Sequence, residues 1–135
     1  MGDRAIIRST DDAYGEIYLQ WHGSRIYIEA FLAFCKLKGC KPPQEDPRGM
    51  ARLCQTIANF MEEDELSIGI SKRGFHYEGD CEIYYIEDWR IVGRREKPDF
   101  TDDELKEIII KVNKRQPEKR RLTLEQIENY FTPCF

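Results

Sequence analysis

The sequence has no apolar run approaching the ~18 residues that a membrane-spanning helix needs, which argues against an integral membrane protein of the helical kind. It contains only two histidines and two tryptophans. No G-x-x-x-x-G-K-[ST], G-x-S-x-G or H-E-x-x-H occurs, so the phosphate-cradling loop, the serine-hydrolase elbow and the zinc-protease helix are without their signatures. Cysteine is present five times, an odd number. Cys35-x₄-Cys40 and the single Cys81 miss the paired spacing of structural zinc, and Cys35, Cys54 and Cys81 sit among apolar neighbours, as reduced core thiols do. Free thiols are therefore expected, with no metal and no cofactor. Ile6 and Ile7 stand where a myristoylation signal wants Ser or Thr, and Cys134 is too close to the last residue for prenylation. Met1-Gly2-Asp3-Arg4 leads straight into a charged, strand-like segment rather than an apolar signal core, so a cytoplasmic location is expected. Charge of one sign is also lacking: 21 basic side chains against 25 acidic ones leave −4 over 135 residues. Such a chain has no general attraction to nucleic acid or to an anionic membrane, so any anion site must be local.

What is present reads as an α+β domain. Arg4–Arg8 and Glu16–Trp21 are rich in β-branched and aromatic residues, and Thr10–Gly15 between them is turn chemistry, giving a hairpin. From Ser24 to Lys38 apolar residues recur at helical spacing, with Ser24 to cap the helix and Gly39 to end it. Pro42-Pro43 break the chain. Asp46 and Pro47 then open a second helix through Met50, Leu53, Ile57 and Phe60. Leu66–Ile70 alternates as a half-buried strand, and Glu82–Ile86 and Arg90–Arg94 make two more with a turn at Glu87-Asp88. The expected order is ββααβββ: an antiparallel sheet of about five strands in residues 1–97, with two helices packed on one face. Residues 98–135 form a helical arm too small to fold alone, with capping boxes at Thr101/Glu104 and Thr123/Gln126. Leu105, Ile108, Ile109 and Val112 line one side of its first helix and Ile110 the other. That two-sided pattern predicts a homodimer through the arm, or a fold-back of Leu124, Ile127 and Phe131.

Three constellations carry chemistry. His22, at the exit of the second strand, suits a base or phosphate ligand, although a turn histidine bonded to a backbone carbonyl has the same sequence. The loop Lys72–Asp80 is chemically the most varied, and Arg73, Phe75, His76 and Tyr77 in it are candidate binding residues. Basic residues cluster twice, at Arg90, Arg94, Arg95 and Lys97, and at Lys111, Lys114, Arg115, Lys119, Arg120 and Arg121. Arg94, Arg95, Lys111, Lys114, Arg115 and Arg120 are candidate phosphate or acidic-partner contacts, with Tyr84, Tyr85 or Trp89 for base stacking, against the plainer reading of a solvated face.

Residues 1–8, Ile17-Tyr18-Leu19-Gln20-Trp21-His22-Gly23, Gly49-Met50-Ala51-Arg52-Leu53, Leu66–Ile70 and Trp89-Arg90-Ile91-Val92 together resemble a group of small proteins encoded by bacteriophages and prophages. The resemblance spans residues 1 to about 95, its motifs are structural, and no catalytic residue comes with it. His76-Tyr77-Glu78 departs from the more acidic, Asn/Asp/Gly-rich loop of that group. The resemblance implies a non-catalytic phage protein in an infected host cell. Such a protein would counter host defence by sequestering a phosphorylated nucleotide signal or by occluding a host defence protein. A small hydrolase or transferase using His22 or His76, or a structural or regulatory phage protein, is the alternative.

Overall fold

The computed structural model describes residues 4–11, 15–61, 67–72, 74 and 81–132. Its elements are β1 (Ala5–Ser9), β2 (Glu16–Leu19), α1 (Arg25–Leu37), α2 (Arg48–Met61), β3 (Ile68–Ser71), β4 (Glu82–Glu87), β5 (Arg90–Val92), α3 (Asp102–Lys114), a 3₁₀ turn (Glu118–Arg120) and α4 (Leu124–Tyr130). The ββααβββ order and the α+β class are as the sequence implies. The sheet runs β3-β2-β1-β4-β5.

One expectation about the sheet is corrected. It is mixed rather than antiparallel throughout, because β1 pairs with β4 in parallel, Ala5 to Glu82 and Ser9 to Ile86. A parallel pair needs a crossover connection, which the long path from β1 through β2, the two helices and β3 to β4 supplies, and all five residues of β1 are buried at the centre of the sheet. β3 covers the free edge of β2, and β4 takes the other side of β1 instead of pairing with β3.

Strand register sorts the side chains into two faces. Ala5, Ile7, Ile17, Leu19, Tyr84 and Ile86 share one face and join α1 and α2 in a single apolar cluster containing Ile28, Phe31, Leu53 and Ile57. Ile6, Arg8, Glu16 and Tyr18 lie on the opposite face, where a buried ion pair joins Arg8 to Glu16.

Chain ends of the helices follow local rules. Gly39, at φ 79°, closes α1: its N–H donates to Lys36 O, and the next N–H, of Cys40, donates to Cys35 O. This paired pattern satisfies the last carbonyls and needs the left-handed backbone that glycine adopts at no steric cost. Asp46 accepts the backbone N–H of Arg48 at 2.9 Å and two bonds from its guanidinium, which hold the Asp46 carboxyl below the usual range.

The arm docks on its own chain. Leu105, Ile109 and Val112 of α3, with Leu122 and Ile127, belong to the same apolar cluster as α1. Each such side chain contributes about 1.5–3 kcal/mol when fully buried. Asn113 clamps the fold-back by accepting from Leu122 N–H and donating to Leu122 O. Ile110 and Leu124 keep 38% and 58% of their surface, so neither is covered by the fold-back of the arm. Among the described residues, no helix is long and apolar enough to cross a membrane.

Candidate functional site

A hollow of about 750 Å³ opens where β5 leaves the sheet. β5 pairs with only the second half of β4, Tyr85 to Val92 and Glu87 to Arg90. Gly93 then turns the chain away with φ 79°, a left-handed backbone that a side chain would strain. Residues 82–84 of β4 are left without a strand on that edge. The Arg94 side chain takes the strand's place. Its Nη2 donates to Ile83 O at 2.7 Å and to Glu82 at 3.2 Å, and its guanidinium lies 4.4 Å from the Tyr84 ring centre. Tyr84 is buried and donates its hydroxyl to Gly23 O at 2.8 Å, which ties the sheet edge to the start of α1.

The first turn of α1 forms the facing wall. Ser24 occupies the N-cap position, yet its side chain makes no capping bond, so the leading N–H groups are not closed off by it. Gly23, Ser24, Arg25 and Ile26 line the hollow, and Arg4, Lys97 and Phe100 flank it. Arg25 is fixed by donating to Glu96 O at 2.9 Å and pairs with Glu29 at 3.6 Å. Burial raises the Glu29 carboxyl, and the neighbouring Arg25 charge pulls it the other way. Four cations thus meet a helix N-terminus, where backbone dipoles also favour an anion.

Acids temper this field. Glu82 is paired with Arg94, and the Glu104 carboxylate is engaged by Thr101 N–H in the α3 capping box. Glu96 and Asp99 stay exposed on the rim. Chemically the lining offers charged and backbone donors beside the partly buried apolar surfaces of Ile26 and Phe100. Among the described residues, no group of three His, Cys, Asp or Glu side chains converges to hold a metal ion.

The residues singled out in the sequence scatter. Arg94 lies in this cleft, whereas Arg95 borders a second hollow on the other side of the same segment. Arg73, Phe75, His76 and Tyr77 lie outside the described residues. Lys111 and Lys114 are exposed on α3, with Lys111 6.0 Å from the Tyr27 ring centre. Arg115 and Arg120 are spent on packing. Arg115 donates to Phe60 O near the end of α2, and Arg120 donates to Gln116 and to Thr56. His22, with φ 60°, packs tilted against Tyr27 and edge-to-face on Phe60, and does not line the cleft. Tyr84 and Trp89 are 2% and 4% exposed, which corrects the expectation that either presents a ring for stacking. Tyr85 is half-buried. Sequence reasoning missed Arg4, Arg25 and the open N-terminus of α1. The one local signal for the site was Gly93 directly before Arg94-Arg95.

No family model, curated protein or solved structure matches the chain.

Proposed function

We propose that the chain is a non-catalytic binding protein that captures a phosphorylated nucleotide in the cleft at the start of α1. Its role in that reading is that of a phage-encoded sponge, withdrawing such a nucleotide from host defence. The observation that carries it is the α1 N-terminus, uncapped by Ser24 and carrying Arg25, which shares a hollow of about 750 Å³ with Arg4, Arg94 and Lys97. That volume lies within the ~300–1,000 Å³ of ordinary small-ligand sites. A phosphate group fits the helix terminus, where N–H groups and arginines supply charge-assisted bonds. Ile26 and Phe100 offer the base an apolar wall. The resemblance to phage-encoded proteins supplies the biological role.

Calorimetry against mononucleotides and cyclic nucleotides tests this. Binding is expected to weaken about tenfold in Lys97→Ala, the size of one charge-assisted contact. Asp99→Asn is expected to tighten binding two- to fivefold by removing a rim charge. The ligand is expected back unchanged after prolonged incubation, and its conversion would overturn the non-catalytic part. Silence across the panel, together with capture of a host protein, would replace the nucleotide reading with occlusion.

A further inference from the structure

We infer that the ligand has two lobes, a dinucleotide rather than a mononucleotide, and that its second base rests in a separate hollow on the opposite face of the sheet. The inference rests on the nucleotide reading of the cleft. The second hollow has a volume of about 390 Å³ and is floored by Ile83, Tyr85 and Val92. Tyr85 lies directly opposite Val92 in the β4–β5 ladder, and Ile83 precedes Tyr85 by two residues, so the three side chains share one face. All three are half-buried, which leaves apolar and aromatic surface open to a flat ligand. The Tyr85 ring is held in place, because its hydroxyl accepts a bond from the buried Arg8 guanidinium at 3.1 Å. A ring fixed in advance loses little freedom when a base stacks on it.

The two hollows share a border: Arg94 and Glu96, in the strip 93–96, line both of them. Arg94 spends Nη2 on Glu82 and Ile83. A guanidinium carries five N–H donors, so Nε and Nη1 keep three for a phosphate crossing the strip. Arg95, exposed at the rim of the second hollow, supplies a further cation on that side. A linkage of nucleoside, phosphate and nucleoside matches this order of apolar wall, arginines and aromatic floor. A mononucleotide would leave the floor uncovered.

The experiment is calorimetry on the full chain with the four common mononucleotides and their homodinucleotides, linear and cyclic. At least one dinucleotide is expected to bind about tenfold or more tightly than its mononucleotide, the gain of one stacked base. Arg95→Glu is expected to bring the ratio of dinucleotide to mononucleotide affinity close to one, while mononucleotide affinity itself falls by no more than about fivefold. Val92→Glu, which places a charge in the apolar floor, is expected to do the same. Arg95 is exposed and holds no bond to another described residue, so its variant keeps the test decisive should Val92→Glu fold poorly. Equal affinity for one and two nucleotides, or a gain that survives Arg95→Glu, would overturn the second lobe and leave the cleft standing. Absence of binding to any of the nucleotides would overturn the nucleotide reading itself, and this inference with it.

Discussion

Arg94 reaches back along the sheet edge and donates to the carbonyl of Ile83 at 2.7 Å, standing in for a strand that has turned away at Gly93. One side chain thereby closes a backbone edge and furnishes the cleft with a cation.

Arg94→Ala removes both. We expect a stability loss of about 1–2 kcal/mol from the carbonyl left without its donor, read as a lower urea midpoint. Nucleotide affinity should fall about tenfold or more. Arg94→Lys should recover little of either, because an ammonium lacks the planar fork that serves Glu82 and Ile83 together beside the Tyr84 ring. Full recovery by lysine would show that charge alone matters there.

Ser24 permits a variant in which stability and binding move in opposite directions. Its side chain leaves the first N–H groups of α1 uncapped. Ser24→Asp should cap them and oppose the helix dipole with a negative charge, raising stability by about 0.5–1 kcal/mol. The same carboxylate would occupy the place proposed for phosphate. Thermal unfolding and calorimetry on one preparation would then show a higher Tm and weaker binding. Unchanged binding would remove the phosphate from the helix terminus.

Gln116 is the polar rivet between α2 and the arm. It is 1% exposed, donates to Thr56 O at 2.9 Å and accepts from Asn59 and Arg120. Gln116→Ala orphans the buried Thr56 carbonyl and the half-buried Asn59 and Arg120 at once and should cost about 2–4 kcal/mol, measured by denaturant unfolding. A loss under 1 kcal/mol would mean that the arm is held by its apolar residues alone.

Burial pushes the Cys35 thiol up to about 12 and the Cys54 thiol up to about 11. A free thiol in the unfolded chain ionises near pH 8.5. Since the folded-state values are raised, the contribution of the neutral thiols is complete below that pH and is lost as the pH climbs toward 11 and 12. Unfolding stability should fall across this window less steeply in Cys35→Ala than in the parent. At pH 8 an alkylating reagent should label Cys35 no faster than the chain unfolds, whereas immediate labelling of Cys35 would contradict its burial.

The legible parts of this fold depend on residues close together in sequence. Thr101 with Glu104, and Thr123 with Gln126, form reciprocal capping boxes as their spacing predicts. Gly39 ends α1 because the signal for a left-handed stop is a single residue. The parallel pairing was not legible, since it joins Arg8 to Tyr85 across 77 residues and no local pattern encodes that meeting. The cleft was legible at Arg94 and Lys97, which fall in one basic run of the sequence, but Arg4 and Arg25 come from separate segments, and each alone reads as an ordinary surface charge. Arg115 and Arg120 read as phosphate or acidic-partner contacts, yet their planar heads lie over Phe60 and Phe34 and brace the helices.

The position of β1 between β2 and β4 bears on how the chain is made. β2 is available soon after β1 leaves the ribosome, but the other flank of β1 waits for β4, 77 residues downstream. At ~5–20 residues per second, that flank stays bare for several seconds. An unpaired apolar strand edge invites association with other nascent chains, and closing so long a loop slows folding once β4 arrives. Yield during rapid synthesis therefore hangs on the β1–β2 hairpin remaining solitary until the last third of the domain has emerged.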